Sequence, residues 1–319
     1  NIPIMLSKEG PRATVGDDNR DGLQDIIICG SNNKRGQLYL QTKAGTFIKK
    51  PVKAFQEDAG IESTACLFFD SDGDGDLDLF VGAGGDRQLA NSVLMLHHLY
   101  TNDGKGNFIS VPDALKNTNA NTAVAVPLDF DNDGDLDLFI GGRNAPYRYG
   151  ANPNSALLQN DGKGHFSDVT QVKAPKLASI GMVTDAVWAD ITGDAKPELM
   201  IVGDWMAPHI FSYNNNVFQE IATNLTDLFG WWRSIAVADL DGDGRKDIII
   251  GNIGENGYLH PTKDKPVKLW LNDYDMNGNL EKIVTQTIDR KDVTVFLKHD
   301  VEEQIPSLKK QNLKHEVFA

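Results

Sequence analysis

Only two cysteines occur among the 319 residues, Cys29 and Cys66, too few for a disulfide framework. Both sit in apolar, strand-like runs, so the expectation is two buried thiols acting as small hydrophobes rather than a redox pair. No apolar run approaches the roughly 18 residues of a spanning helix, so no transmembrane segment is expected. Basic residues are in the minority, 31 Lys and Arg against 45 Asp and Glu, for a formal charge of −14. A surface that acidic repels phosphate backbones and anionic lipid, and no nucleic-acid partner is expected. Asn1 to Gly10 lacks a basic stretch leading into an apolar one, so any leader or lipid anchor is expected to have been removed or to lie outside this sequence.

Catalytic signatures are missing as well. There is no Gly-x-Ser-x-Gly, His-Glu-x-x-His, Walker loop or Cys-x-x-Cys. The phrases at Gly104–Gly106 and Gly162–Gly164 lack the Ser or Thr and the helix that a phosphate loop needs. His97 and His98 are adjacent, which suits a surface strand or loop better than a shared metal, and His165 and His209 are expected to be solvated. The reading is of a chain that is not an enzyme. What is present suits a globular fold: 40% apolar and 24% charged residues.

A repeat organises the chain. An apolar run, a loop of alternating acids with glycine, and a second apolar run ending in glycine recur at 66–83, 126–142 and 236–252. Weaker copies lie at 14–31, 186–204 and 269–285. The first acids, Asp17, Asp70, Asp129, Asp190, Asp239 and Asp273, are separated by 53, 59, 61, 49 and 34 residues. Between them falls a second phrase, at 37–48, 99–109, 156–167 and 209–219, in which short apolar segments flank Asn-Asp-Gly or a similar pair, the signal of a tight hairpin. Each period thus holds four short strands, the arithmetic of a propeller blade. The fold expected is all-β, a β-propeller of four-stranded blades, six or seven in number, over residues 1–285. Residues 286–319, with helically spaced apolar residues around Pro306, are expected to form a short helical segment inserted in or continuing the last blade. The sixth repeat shows its acidic loop but no hairpin phrase.

The acidic loops carry the chemistry. Asp70, Asp72, Asp74 and Asp78 stand at positions 1, 3, 5 and 9, with Gly75 at position 6. Asp129, Asp131, Asp133 and Asp137 repeat this with Gly134, as do Asp239, Asp241, Asp243 and Asp247 with Gly244. A glycine at position 6 lets the backbone turn sharply and gather positions 1, 3 and 5 round one centre. The carboxylate at position 9 and the carbonyl of position 7 then complete the hard-oxygen shell that Ca²⁺ takes, whereas Mg²⁺ demands a tighter octahedron. An EF-hand is excluded, because its twelfth position needs Glu and here holds Val81, Ile140 and Ile250. Asp17, Asn19, Asp21 and Asp25 retain every ligand type, as do Asp273, Asp275, Asn277 and Glu281. Asp190, Thr192, Asp194 and Glu198 have Ala195 in place of the glycine. About four to six Ca²⁺ ions are expected, offsetting most of the negative charge and serving as blade staples, since saturated oxygen shells leave no open Lewis-acid position.

These nine-residue loops resemble the FG-GAP or VCBS repeats, which include the Ca²⁺ loops of integrin α-subunit propellers. The phrases at 7–12, 181–191, 203–209, 230–236, 251–259 and 304–311 are similar to bacterial FG-GAP proteins of the cartilage-acidic-protein and ASPIC/UnbV-associated group. The resemblance implies a secreted or lipid-anchored surface propeller, such as an outer-membrane lipoprotein, used for adhesion or for binding a glycan or protein, and a scaffold role in an outer-membrane assembly is a further version. The alternative is a polysaccharide-active, lyase-like enzyme on a Ca²⁺-bearing propeller. Candidates for a ligand face are Arg143, Tyr147, Tyr149, Trp205, Trp231 and Trp232. Adjacent Trp231 and Trp232 point to opposite sides of a strand, so at least one belongs to the core. Millimolar Ca²⁺ outside cells fills such loops and resting cytosol does not, which places the protein outside the cell or on its surface as an expectation.

Overall fold

In the computed structural model, residues 10–31, 33–56, 60–85, 89, 92–115, 118, 120–254 and 256–311 are described. Residues 7–9 of the family-like opening phrase and the tail beyond 311 lie outside them. Short runs of β-branched and aromatic residues separated by turn formers give strands in quick succession. β1 (Ala13–Gly16), β2 (Asp25–Ile28), β3 (Gln37–Gln41) and β4 (Phe47–Lys50) form one antiparallel sheet in sequence order. β5 (Ser63–Phe69), β6 (Asp78–Ala83), β7 (His98–Thr101) and β8 (Ile109–Ser110) form the next. β9 (Thr122–Leu128), β10 (Asp137–Gly142), β11 (Ala156–Asn160) and β12 (Phe166–Asp168) form the third. After the one-turn helix α1 (Thr170–Lys173) come β13 (Met182–Ala189), β14 (Glu198–Met206), β15 (His209–Asn214) and β16 (Val217–Glu220).

The fifth repeat is shorter. β17 (Gly230–Ala238) and β18 (Asp247–Asn252) pair with each other and join the fourth sheet at Asp204–Trp231 and Met206–Gly230. β19 (Val267–Asn272), β20 (Glu281–Ile288) and β21 (Lys291–Thr294) make a three-stranded sixth sheet, followed by α2 (Lys298–Gln304) and α3 (Leu308–Gln311). Sheet therefore continues beyond residue 285, where the sequence reading placed the change to helix. Asp289 and Arg290, both at positive φ, turn β20 into β21, the type of two-residue hairpin that matches strand twist. That hairpin carries no Asn-Gly signal, which is why the sixth repeat seemed to lack one.

The first strands β1, β5, β9, β13 and β17 lie side by side in that order, as the inner strands of propeller blades do. The second strands of the second, third and fourth blades, β6, β10 and β14, are buried on both faces, and their alternate residues serve two different cores. Leu79 and Val81 pack toward the first blade with Ile27, Leu38 and Tyr100, whereas Phe80 packs toward the third with Leu138, Ile140 and Leu158. Phe139 turns to the fourth blade, meeting Leu199, Ile201 and Phe211, while Met200 and Val202 face the fifth. At the two flanks this pattern stops: Val15 on β1 and Ile249 on β18 are 57% and 52% exposed.

Two expectations fail here. Cys29 and Cys66 are joined in a disulfide, with Cα atoms 6.6 Å apart. It links the end of β2 to β5, tying the first blade to the second across a sequence separation of 37. His97 is buried rather than on the surface: its Nδ1 accepts the N–H of Ala83 at 3.2 Å and its Nε2 meets Thr122 Oγ1 at 3.3 Å. Burial pushes its pKa down to about 3, so it is neutral. No helix among the described residues is long and apolar enough to cross a membrane.

Candidate functional site

Each acidic loop joins the first strand of a blade to the second, so those of the five blades whose first strands lie side by side share one pole. Their internal hydrogen bonding is nearly uniform. One oxygen of the position 1 carboxylate accepts the position 6 N–H, as in Gly22 to Asp17 at 2.8 Å, Gly75 to Asp70 at 2.9 Å and Gly244 to Asp239 at 2.9 Å. Position 5 accepts from position 7, as in Asp76 to Asp74 at 2.8 Å and Asp135 to Asp133 at 3.2 Å. Position 6 is left-handed throughout: Gly22, Gly75, Gly134, Gly244 and Gly278 have φ between 83° and 97°. Ala195 takes the same conformation at φ 66°, so this loop closes without its glycine, at a steric cost of about 1 kcal/mol.

Among the described residues, four groups of acids have their oxygens within 4.8 Å of one another: Asp70, Asp72 and Asp78; Asp129, Asp131 and Asp137; Asp239, Asp241 and Asp247; Asp273, Asp275 and Glu281. Positions 1, 3 and 9 are thus brought together. The acids at position 5, Asp74, Asp133 and Asp243, are outside these groups and cap the following backbone instead. Asp17 and Asp25 are accompanied by Asn19, and Asp190 and Glu198 by Thr192, so these two loops offer fewer carboxylates. In the Asp190 loop, both oxygens of Glu198 are already taken, by the N–H groups of Ile191 and Thr192 and by Thr192 Oγ1.

The groups fit a cation. Asp129 Oδ1, Asp131 Oδ1 and Asp275 Oδ1 are buried with no hydrogen-bond partner inside their clusters. Burial raises the pKa of Asp78 to about 6 and that of Asp137 to about 7, and Asp72 and Asp131 are raised by burial and then by the adjacent Asp74 and Asp133. A divalent ion would fill those lone pairs and reverse the shifts. Position 9 is also structural. Asp78 Oδ1 and Asp137 Oδ1 accept the N–H of Asn102 and Asn160, both at 2.8 Å, and Asp25 Oδ1 accepts that of Gln41 at 2.8 Å. Sequence reasoning missed Asp18, a buried position 2 acid raised to about 8 by burial and by the neighbouring Asp25 carboxyl; a non-repeating position gave no signal.

The candidate ligand-face residues gather at the other pole, where β10, β14 and β17 have their opposite ends. Arg143 is wholly buried rather than exposed, its Nη2 2.7 Å from Asp204 Oδ2. Arg233, a residue not singled out in the sequence, lies 3.4 Å from the same carboxylate. Trp205, at φ 63°, donates its indole N–H to Tyr149 Oη at 2.9 Å and stands edge-on to Trp231 with ring centres 5.1 Å apart. Trp231 is buried and Trp232 half-buried, donating to Leu228 O at 3.0 Å, so one of the pair does enter the core. Tyr147 is 57% exposed. His209 is half-buried against Glu220, 2.6 Å away, instead of solvated, while His165 is exposed.

Sheets radiating from adjacent first strands, each with an acidic loop at the same corner, define a repeat β-propeller. The chain belongs to the FG-GAP-like repeat family, whose pattern matches residues 17–81, 91–140 and 190–250. The sixth loop, at 273–281, falls outside that match. No curated protein matches the chain. Among solved structures, one of an Agrocybe aegerita lectin, described as specifically recognising non-reducing terminal N-acetylglucosamine, is similar at 20% identity and a TM-score of 0.49. The alignment covers 86% of this chain and 65% of that one.

Proposed function

We propose that this protein is a Ca²⁺-stapled β-propeller of the cell exterior that acts as a binding module rather than as an enzyme. The observation that carries the reading is the convergence of carboxylate oxygens from positions 1, 3 and 9 within 4.8 Å in four loops, with Asp129 Oδ1, Asp131 Oδ1 and Asp275 Oδ1 buried and unpartnered. Asp70, Asp72 and Asp78, Asp129, Asp131 and Asp137, and Asp273, Asp275 and Glu281 would hold ions most tightly. Asp239, Asp241 and Asp247 are more open, and the loop of Asp190, Thr192, Asp194 and Glu198, with a threonine in place of the position 3 carboxylate and Ala195 in place of the glycine, would hold one least. Asp17, Asn19, Asp21 and Asp25 supply a further hard-oxygen set. An ion in each loop would tie the first and second strands of its blade together.

The extracellular placement is supported by the Cys29–Cys66 disulfide, since such bonds persist in oxidising compartments. The opposite pole, with Trp205, Tyr147 and Arg233, is the face read as meeting a glycan or protein partner, because half-exposed aromatics and arginine anchor interfaces. Thermal unfolding in Ca²⁺, in Mg²⁺ and in chelator, with metal analysis of the purified protein, tests the metal reading. Four to six bound ions and a Ca²⁺-specific rise in Tm are expected. The same Tm in chelator, with no Ca²⁺ co-purifying, would overturn it.

A further inference from the structure

The hairpins between third and fourth strands share the pole of the acidic loops, and two of them do more than turn the chain. Asn102 directly follows the third strand of the second blade and is buried. Its backbone N–H holds Asp78, position 9 of its own blade's loop. Its side-chain amide donates to Leu77 O of that loop at 3.1 Å and, at 2.6 Å, to Asp18 O, position 2 of the loop in the blade before. Asn160 repeats this one blade on. Its N–H holds Asp137, and its side-chain amide donates to Leu136 O at 3.0 Å and to Ser71 O, position 2 of the preceding loop, at 2.8 Å.

Position 2 is itself tied to its own loop's position 9: the N–H of Ser71 donates to Asp78 Oδ2 at 3.0 Å. A continuous hydrogen-bonded path therefore runs from Asp78 through the Ser71 peptide groups to the Asn160 amide, and from the Asn160 N–H to Asp137. The path is buried at every residue, with Ser71, Asp78, Asn160 and Asp137 each at most 5% exposed, where such bonds are strong and leaving one unmade is costly.

The next step breaks the rule. Tyr213 holds the corresponding place in the fourth blade, and position 2 of the third loop is Phe130. Their rings meet edge to face at 4.9 Å, and Lys173 Nζ lies 5.0 Å from the Phe130 ring centre. An aromatic contact replaces the amide bridge; Lys173 donates to Tyr213 Oη at 3.1 Å and lies 3.6 Å from Asp131 Oδ2, which ties Tyr213 to the third loop, while Glu198 of the fourth is held by the Ile191 and Thr192 groups of its own loop.

We infer that Asn102 and Asn160 are positioning residues that couple the first three acidic loops, so that these fill with cations cooperatively while the fourth fills independently of the third. This rests on the metal reading above. An ion drawing Asp78 inward fixes the Ser71 peptide, the Ser71 carbonyl orients Asn160, and Asn160 fixes Asp137 for the next ion. The coupling is reciprocal, as linkage requires.

The test is a Ca²⁺ titration of the whole chain followed by NMR at the position 6 amides of Gly75, Gly134 and Ala195, which report the second, third and fourth loops separately. Disabling the second loop with Asp70→Asn should weaken Ca²⁺ at Gly134 by at least threefold and leave Ala195 unchanged. In an Asn160→Ala background, the same Asp70→Asn change should no longer affect Gly134. Asn160→Asp, which keeps the shape but cannot donate, serves as a second variant if Asn160→Ala does not fold. Ca²⁺ binding at Gly134 that ignores Asp70→Asn would overturn the coupling alone. Absence of Ca²⁺ response at every loop would overturn the metal reading beneath it.

Discussion

At the residue scale, Asp137 shows how one side chain is asked for two things. It begins a buried strand and so loses water, yet it must be an anion to hold a cation. Without an ion, its pKa of about 7 means that the folded state keeps a proton which the unfolded chain has released by pH 5. Asp18, at about 8, behaves likewise. Folded-state proton binding above the unfolded pKa makes stability fall as pH rises. In chelator, Tm should therefore drop between pH 6.5 and 8, a window chosen because below it neutral, buried His97 begins to oppose the trend. With Ca²⁺ present the ion needs the deprotonated acids, and the Tm difference between Ca²⁺ and chelator should widen over the same window. Thermal melts at four pH values check this, and a constant difference would refute it. The acids were legible in the sequence because their spacing recurs. Arg143 and His97 were not: a lone Arg or His is polar by type, and only the packing of three blades around it shows that it is buried and paired.

At the scale of elements, the disulfide is the clearest case of a link invisible in the chain. Cys29 follows β2 and Cys66 lies within β5, and nothing local brings them together; the side-by-side packing of β1 and β5 does. Closing a loop of 37 residues restricts the unfolded chain by about 4 kcal/mol in the loop-entropy treatment. Replacing both with serine should lower stability by about 2–4 kcal/mol in urea denaturation, with the loss concentrated in the first blade. A double variant as stable as the parent would show the bond to be incidental. The hairpins divide in the same way. Asn-Asp-Gly announced turns at 102–104 and 160–162, and the turns are there, but the reach of each asparagine into the blade before it belongs to tertiary structure.

For the whole molecule, the alternation of the second strands sets a gradient. β10 and β14 have close-packed neighbours on both faces, whereas Val15 and Ile249 mark faces that none of the described residues cover. Amide hydrogen exchange should be slowest in β10 and β14 and at least tenfold faster in β1 and β18. Uniform protection across the blades would contradict this ordering. The propeller plan itself was readable from the four-strand period. The contraction of the fifth repeat to two strands was not, because Ile248 to Ile250 promise a strand without saying what pairs with its outer edge.

The shared walls between blades also limit how such a chain can gain or lose a unit. Each wall is a matched pair of faces, and the pairs differ: asparagine on a serine carbonyl between the second and third blades, tyrosine on phenylalanine between the third and fourth. Excising the third repeat would set Tyr213 against Ser71, bringing a ring to a place shaped for an amide. Sequence regularity in these repeats therefore does not make them interchangeable, and recombination would succeed only where the two new faces happen to be of one kind.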